Sequence, residues 1–297
     1  MREPFSLLLP VYHGDDPGHL RRAFASTVDD QLCRPDEVVV VEDGQMTPGL
    51  ASTIETLAAT SPVPVRRLSL SRHVGLAQAL QCGLSVCSHE VIARMDADDV
   101  SLPHRFSVQL PLIESGADLV GAGLVEFADD ESEPGRLRVP PIGAEKITTS
   151  ARLRSPFNHP TVVYRRSAVL KAGGYQFLPL LEDYWLFTRM IAAGATVANV
   201  AEPLVMYRVG SGAYDRRGGL RLLRSEIGLQ RRLRREDFTT TRQMVRNLAV
   251  RGGYRLTPVQ LRRLAYRRVF TSRNAVPSLD SLPTLHHPAR PTSLPRP

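Results

Sequence analysis

Two groups of carboxylates in the sequence could carry out chemistry. The first lies in the segment Arg94-Met95-Asp96-Ala97-Asp98-Asp99, where two aspartates stand one residue apart. The carboxylates of such a D-x-D, placed at a strand end, can converge on a hard divalent cation whose other positions accept diphosphate oxygens. A lone D-x-D is a weak signal, because aspartates also form turns and cap helices, and Asp99 fits such a cap.

The second group is Glu182-Asp183, which Tyr184 and Trp185 follow. A carboxylate at the mouth of a site can take the proton of an attacking hydroxyl. An Asp of ordinary pKa suffices, because that proton becomes acidic only in the transition state. Acidic residues at a helix start also interact favourably with the helix dipole, which is the structural explanation of the same pair. Trp185, the single Trp of the chain, either packs in the core or stacks on a sugar face.

A third segment, Arg72-His73-Val74-Gly75-Leu76-Ala77, precedes a predicted helix. Basic side chains and the amides of a helix start can approach phosphates. The segment is neither a Walker loop nor a G-x-G-x-x-G, so the sequence gives no support to an ATPase or a dinucleotide-binding protein. His159 is interpreted as a turn residue, and no Cys/His spacing indicates zinc.

The elements that must position these groups alternate between strands and helices. Short apolar runs predict strands at 5–11, 37–41, 65–70 and 91–95, with helices at 20–29, 50–59 and 75–87. This alternation is typical of a doubly wound, Rossmann-like parallel sheet, in which ligands bind beyond the carboxyl ends of the strands. Glu42-Asp43 and the D-x-D both fall at such ends.

The pattern after Ser101 is mixed. It predicts strands at 118–127, 161–164, 197–200 and 205–209, and helices at 167–172 and 183–193. Three basic helical segments follow at 220–235, 241–250 and 259–270, and the Pro- and Ser-rich chain beyond 272 is predicted to be disordered. The predicted domains are a catalytic domain over 1–210, a basic helical extension over 211–271 and a tail over 272–297.

Charge divides the chain in the same way. The 297 residues carry a net charge of +8, but residues 207–270 hold seventeen arginines and four acids, a balance of +13. The tail adds +2, which leaves −7 for the first 206 residues. Three cysteines are too few for a disulfide framework, which predicts a reducing compartment. No apolar run approaches the roughly 20 residues of a membrane span or begins a signal peptide, so we expect a cytoplasmic protein.

The order of six short segments carries more information than any one of them. They are Leu9-Pro10-Val11-Tyr12, Val40-Val41-Glu42-Asp43-Gly44, Val74-Gly75-Leu76-Ala77, Met95-Asp96-Ala97-Asp98-Asp99, His159-Pro160-Thr161 and Glu182-Asp183-Tyr184. In this order they resemble the family 2 glycosyltransferases, over about residues 5–208. The resemblance implies an α/β fold of the GT-A type, a Rossmann-like nucleotide-sugar-binding domain, here with a mainly helical basic C-terminal extension.

The resemblance also implies an activity. It indicates an inverting enzyme of polysaccharide or cell wall biosynthesis that moves a sugar from a nucleotide-diphosphate donor to a hydroxyl of a glycan or lipid-linked acceptor. Asp98 would ligate Mg²⁺ or Mn²⁺, and Asp183 would be the general base, with Glu182 supporting acceptor binding or the placement of Asp183. The metal would stabilise the leaving nucleoside diphosphate, so no protein acid is needed at that oxygen.

The same resemblance assigns a set of donor-binding residues. They are Pro10, Val11 and Tyr12 in the nucleotide pocket, Glu42 and Asp43 at the base and ribose, Arg72 near the nucleotide or diphosphate, and Asp96 at the ribose or donor sugar. The chain departs from the family pattern at His73 and Gln81, where asparagines are frequent, and after Arg208, where many relatives have a histidine. We therefore expect weaker metal affinity or a metal shell completed by water.

Two interpretations apply to the basic extension. Leu220, Leu223 and Ile227 fall on one helical face, and arginines surround it. Such a helix suits an anionic membrane surface, which would hold the enzyme peripherally on the inner face of the plasma membrane beside a lipid-linked acceptor. The alternative is that the apolar face packs on the catalytic domain. Both interpretations can hold, since one face of the helix can pack while the other docks on the membrane.

Three competing functions make different predictions. A nucleic-acid-binding protein would use the arginine-rich helices, but it leaves the acidic motifs unexplained, so we expect no nucleic acid partner. A nucleotidyltransferase needs a Gly- and Lys-rich loop after the first strand, where the acidic His13-Gly14-Asp15-Asp16 would repel a triphosphate. A degenerate transferase would bind a nucleotide sugar without turnover.

Overall fold

The computed structural model of the protein describes residues 2–209 and 220–252. Strands and helices alternate through its first part, as predicted. These elements are β1 (Phe5–Tyr12), α1 (Pro17–Val28), β2 (Glu37–Asp43), α2 (Pro48–Thr60), β3 (Val65–Ser69), α3 (Leu76–Val86) and β4 (Val91–Arg94). The four strands pair in parallel in the order β3-β2-β1-β4. The predicted Rossmann-like parallel sheet is therefore confirmed.

The later elements add further strands to the same sheet, with helices between them. They are β5 (Val100–Ser101), α4 (Arg105–Glu114), β6 (Leu119–Phe127), β7 (Leu137–Arg138), α5 (Ala144–Ala151), a 3₁₀ turn (His159–Thr161), β8 (Val163–Arg165), α6 (Arg166–Lys171), α7 (Glu182–Ala192) and β9 (Val197–Arg208). β8 lies antiparallel between β4 and β6, and β9 pairs in parallel with β6. Over the described residues the strand order is β3-β2-β1-β4-β8-β6-β9-β5, with β7 on β6.

Helices cover both faces of the sheet because its central strands are apolar on both sides. Leu7 and Leu9 of β1 belong to one core, which α1, α2 and α4 complete. Leu8 belongs to a second core on the opposite face, formed with α3, α5 and α7. Successive strand residues point to opposite faces, so one apolar run serves both cores.

The predicted strands 197–200 and 205–209 are one strand, β9. Its register against β6 shifts after Ala122 pairs with Val200, because Gly123 then pairs with Pro203. A Cβ at Gly123 would lie 2.5 Å from the Ala201 carbonyl oxygen, so glycine is needed where the bulge crosses β6. A bulge breaks the apolar alternation without ending the strand, which is why two strands were predicted.

Within residues 220–252, the described part of the C-terminal extension contains two helices. α8 (Leu220–Arg235) has the predicted bounds, and α9 (Thr241–Asn247) is shorter than predicted because the chain widens into a π turn at Leu248–Gly252. A capping box between Thr240 and Gln243 fixes the start of α9. The predicted boundary at 210–211, the third basic helix at 259–270 and the tail at 272–297 lie outside the described residues. No helix in the described ranges has the length and apolar character needed to cross a membrane.

α8 packs on the catalytic domain, but not through the face that was predicted. Leu222, Leu229 and Leu233 are buried against a cluster that includes Tyr184 and Trp185 of α7. Leu223 and Ile227 are only half-buried. The buried face also contains Glu226 and Gln230, both 0% exposed, and a pattern based on hydropathy cannot assign such polar residues to the interior.

Candidate active site

The turn that follows β4 brings three carboxylates together. One oxygen each of Asp96, Asp98 and Asp99 lies within 4.8 Å of the others. Carboxylate oxygens at this separation form a donor set that suits Mg²⁺ or Mn²⁺. Asp99 is fully buried, and its Oδ2 has no hydrogen-bond partner. A buried carboxylate oxygen without a partner is costly unless a cation or a proton satisfies it, so the residues fit a cation site.

The end of β9 fixes the position of this turn. The Arg208 backbone N–H donates to Asp99 Oδ1 at 2.9 Å, and its Nε donates to the Asp98 carbonyl oxygen at 2.9 Å. The guanidinium also lies 4.4 Å from the centroid of the Phe127 ring. The interpretation of Asp99 as a helix cap is therefore wrong, because His104 occupies the position before α4 and Asp99 binds β9 instead.

Arg94 is a buried cation beside this cluster. The residue is 1% exposed, and its two terminal nitrogens bind both oxygens of Asp96, with Nη1 2.6 Å from Oδ2 and Nη2 on Oδ1. Burial and the neighbouring Asp96 raise the pKa of Asp98, and the charge of Arg94 opposes this shift. Burial also raises the pKa of Asp99 well above its usual value, and the charge of Arg94 again opposes the shift.

Glu182 and Asp183 are the first two residues of α7 and are half-buried. Burial raises the pKa of Asp183, which the Tyr184 N–H and the positive charges of Arg94 and Arg138 oppose. Burial and then the charge of Asp183 raise the pKa of Glu182 to about 7, and Asp96 adds to this shift. The charge of Arg94 thus acts on Glu182 and Asp183, and the charge of Asp96 acts on Glu182, so both carboxylate groups lie within electrostatic reach of one guanidinium.

The loop after β1 adds a carboxylate that the sequence motifs did not identify as part of the site. Asp15 Oδ2 accepts a hydrogen bond from the Tyr12 N–H at 2.9 Å. Burial raises the pKa of Asp15 to about 7, and the charges of Asp98 and Asp96 contribute. Asp15 therefore lies beside the D-x-D. Its only signal in the sequence is its place directly after a predicted strand.

The predicted nucleotide pocket lies at the ends of β1 and β2. Pro10 and Val11 are buried in β1, whereas Tyr12 is 42% exposed and its ring centroid lies 6.1 Å from that of His73. Arg72 is exposed in the loop before α3. Tyr12, His73 and Arg72 thus form an accessible aromatic and basic surface beside the carboxylates.

Glu42 and Asp43 are buried, and their carboxylates already bind protein groups. Both oxygens of Glu42 accept from Arg67, at 2.8 and 3.2 Å. Asp43 accepts from the backbone N–H groups of Val74 and Gly75, at 2.7 and 3.0 Å, and so fixes the loop that carries Arg72. Contact of Glu42 and Asp43 with a donor therefore stays a prediction.

The two aromatic candidates are core residues. Trp185 is 3% exposed, its Nε1 donates to Gln176 at 3.0 Å, and the Arg189 guanidinium lies 5.1 Å from its ring. Of the two interpretations of this residue, packing in the core is the correct one. His159 begins the 3₁₀ turn and is buried, with Nε2 3.0 Å from the Tyr175 hydroxyl, and burial lowers its pKa well below the usual value. The neutral His159 ring thus packs beside the rings of Tyr175 and Phe187, and the charge of Arg94 also lowers its pKa.

This sheet, parallel over β3-β2-β1-β4 and extended by β8, β6 and β9, has the GT-A fold of solved structures. The solved structure of S. aureus TarS 1–349 in complex with UDP-GlcNAc has the same fold, with a TM-score of 0.60 and 15% identity, over 92% of this chain and 76% of that chain. The structure of TarS 1–349 without that ligand gives a TM-score of 0.62 over 90% of this chain and 75% of that chain.

Sequence comparison then gives the family. The model for glycosyl transferase family 2 matches residues 6–174, and the chain belongs to this family. The amylovoran biosynthesis glycosyltransferase AmsE of Erwinia amylovora is 34% identical, over 89% of this chain and 98% of its own length. The UDP-Gal:alpha-D-GlcNAc-diphosphoundecaprenol beta-1,3-galactosyltransferase of Escherichia coli is 30% identical, over 89% of this chain and 96% of its own length. The protein is a glycosyltransferase, which confirms the predicted family, fold class and type of enzyme.

Proposed function

We propose that the protein is an inverting glycosyltransferase that moves a sugar from a nucleotide-diphosphate donor to a hydroxyl of a lipid-linked glycan in polysaccharide biosynthesis. The observation that carries the proposal is that one buried guanidinium, Arg94, binds Asp96 of the D-x-D and acts through its charge on Glu182 and Asp183. The E. coli relative acts, by its name, on UDP-Gal and a diphosphoundecaprenol acceptor. A donor of this kind would suit the D-x-D, and an acceptor of this kind would suit the Glu182-Asp183 pair.

The donor would occupy the edge formed by β1, β2 and β4. Its nucleotide would lie along Pro10, Val11 and Tyr12, with Glu42 and Asp43 at the base and ribose. Arg72, which is exposed and close to this edge, would approach the nucleotide or the diphosphate. Asp96, which Arg94 holds by both oxygens, would contact the ribose or the donor sugar.

Asp98 would ligate the divalent cation, and Asp96 and Asp99 are close enough to share it. When bound, Mg²⁺ or Mn²⁺ supplies positive charge that stabilises the leaving diphosphate. The partnerless Asp99 Oδ2 supports this assignment, because the cation would satisfy an oxygen that the protein does not. Arg208 would hold the turn in place through the Asp99 and Asp98 contacts described above.

Asp183 would be the general base. As the acceptor oxygen forms a bond to the anomeric carbon, the bond from that carbon to the diphosphate oxygen breaks, and the hydroxyl proton moves to Asp183. Attack from the side opposite the leaving group inverts the anomeric carbon. Glu182, with a pKa of about 7, would bind the acceptor or position Asp183.

A donor screen tests this proposal. Thermal unfolding would be followed with UDP-, GDP- and dTDP-sugars, each with and without Mn²⁺. We expect one base to raise the melting temperature, and to do so more strongly with Mn²⁺, because a ligand that binds only the folded state stabilises it. If no nucleotide sugar shifts the transition, with or without the cation, the donor assignment is wrong.

The basic extension would bring this site to the membrane that holds a lipid-linked acceptor. Arg221, Arg224, Arg231 and Arg235 of α8 are exposed, although the opposite face of the helix is packed on the catalytic domain. Each arginine near an anionic surface contributes about 1 kcal/mol to binding. We expect the protein to bind anionic vesicles peripherally and to dissociate as salt is added. Equal binding to neutral vesicles would contradict this role.

A further inference from the structure

The loop between α6 and α7, residues 172–181, exposes apolar side chains directly before the proposed base. Phe177 is 73% exposed and Leu180 is 46% exposed. Leu180 has a φ of +66°, in the left-handed region that non-glycine residues rarely adopt. Leu178 and Leu181 of the same loop are buried against α8. The loop is thus anchored by one pair of leucine side chains and presents the Phe177 and Leu180 side chains outward.

The exposed face of α8 adjoins this loop. We call Arg221, Arg224, Arg231 and Arg235 the arginine ridge, since their spacing of three, seven and four residues places them on one helical face. Arg232, beside the ridge, donates from Nη1 to the Phe177 carbonyl oxygen at 3.2 Å. A Cβ on Gly228 would lie 3.5 Å from Leu178 Cδ1. These contacts place the loop along one side of the arginine ridge.

We infer that Phe177, Leu180 and the arginine ridge form one surface that docks on an anionic lipid bilayer, with the two apolar side chains entering the interface beside the acceptor end of the site. This inference rests on the proposed function. Charge complementarity favours a bilayer, because a row of cations next to two exposed apolar side chains matches anionic headgroups above acyl chains. The loop leads into Glu182 and Asp183, so docking there would hold the acceptor sugar next to its proposed base.

Vesicle binding tests the surface directly. The full chain, the Phe177→Ser/Leu180→Ser variant and the Arg224→Gln/Arg231→Gln variant would be compared on vesicles of phosphatidylcholine with and without phosphatidylglycerol. Leu32→Ser is the matched control, because Leu32 is 77% exposed but lies between α1 and β2. We expect about tenfold weaker binding for the loop variant and about fivefold for each lost arginine. The control should bind like the wild type.

A loop variant that binds anionic vesicles as tightly as the wild type would overturn the inference. So would binding that requires a protein partner and is absent on pure lipid. Both results leave the proposed transferase activity untouched, since neither concerns the donor or the base.

Transfer assays with two acceptors distinguish a role of the loop in membrane docking from a role in the chemical step. Transfer would be measured to a polyprenyl-diphosphate sugar embedded in the same vesicles and to a water-soluble, short-chain analogue of it. The loop variant should lose about tenfold in transfer to the embedded acceptor and should retain the wild-type rate on the soluble one. Loss on both acceptors would overturn the inference, because the loop would then act at the chemistry. A wild type that uses neither acceptor contradicts the proposed function instead, whatever the vesicle binding shows.

Discussion

A buried ion pair within the basic extension joins α8 to the π turn, and its removal should be measurable. Glu226 of α8 is 0% exposed and accepts from Arg251 Nε at 2.8 Å and from Gln230 Nε2 at 3.1 Å. Arg251 donates to the Leu153 carbonyl oxygen at 3.1 Å, and Asn247 donates to that of Arg152 at 2.7 Å. These bonds attach the extension to the end of α5.

Glu226→Gln keeps the volume of the side chain and leaves the Arg251 charge without its partner. Breaking a buried pair from one side costs about 3–5 kcal/mol. Because the Arg251 side chain is 19% exposed, we expect a cost of about 3 kcal/mol, at the lower end of that range. Urea unfolding followed by circular dichroism measures it. Asp237→Asn is the matched control, since the Arg234–Asp237 pair lies at the end of the same helix and Asp237 is 87% exposed.

The control should lose less than about 1 kcal/mol, as exposed ion pairs do. The double variant Glu226→Gln/Arg251→Met should recover most of the stability lost in Glu226→Gln, because both charges are then gone. If Glu226→Gln costs no more than the control, the pair does not stabilise the packing of the π turn on α8, and this description of the extension is wrong.

Three further predictions concern the site itself. Glu182 has a pKa of about 7 in the folded protein against an ordinary value of 4.5, so folding favours its protonated form and stability falls as pH rises through that window. Glu182→Gln should therefore stabilise the protein by about 2–3 kcal/mol more at about pH 8 than at about pH 4.5, in urea unfolding at both pH values; a pH-independent difference contradicts the assignment. Gly44→Ala would place a Cβ 2.6 Å from the His73 backbone nitrogen at a φ of +88°, whereas Gly143, with a φ of +87°, has no atom within 4 Å of that position. Gly44→Ala should thus cost about 2 kcal/mol more than Gly143→Ala, and equal melting temperatures would refute the close approach. Arg94→Met should lower transfer about 100-fold by removing two charge-assisted hydrogen bonds to Asp96, with Arg94→Lys recovering only part of the rate, and an Arg94→Met enzyme of wild-type rate would refute this role.

The sequence predicted the parallel half of the fold well because its signals there are local. A run such as Val38 to Val41 favours a strand that is covered on both faces. The first two helices were predicted to begin at residues 20 and 50, two or three residues late, because their caps Asp16 and Thr47 were not recognised. The two carboxylate groups could be found for the same reason, since each is contiguous in the chain. That the two groups serve one site could not be derived from either group alone; the order of motifs implies it through the resemblance, and it stays a prediction.

Residues that act through tertiary contacts escaped prediction. Asp15 joins the site only through its tertiary surroundings, since burial and the charges of Asp98 and Asp96 raise its pKa. Arg94 was read as the start of a motif, although its buried guanidinium binds Asp96. Glu226 was counted among the few acids of a basic helix, and its burial depends on Arg251, 25 residues further along the chain. Hydropathy and spacing contain no information on such partners.

The central claim is that Asp98 serves cation-dependent donor binding whereas Asp183 serves as the general base, and Asp183→Asn tests it most directly. Donor affinity and transfer rate would be measured on the same preparation, with Asp98→Asn beside it as the variant of the proposed metal ligand. We predict that Asp183→Asn binds the nucleotide sugar as the wild type does and loses at least about 100-fold in transfer, the size of a general-base contribution. Asp98→Asn should instead lose its cation-dependent donor binding. Full transfer activity in Asp183→Asn would contradict the account.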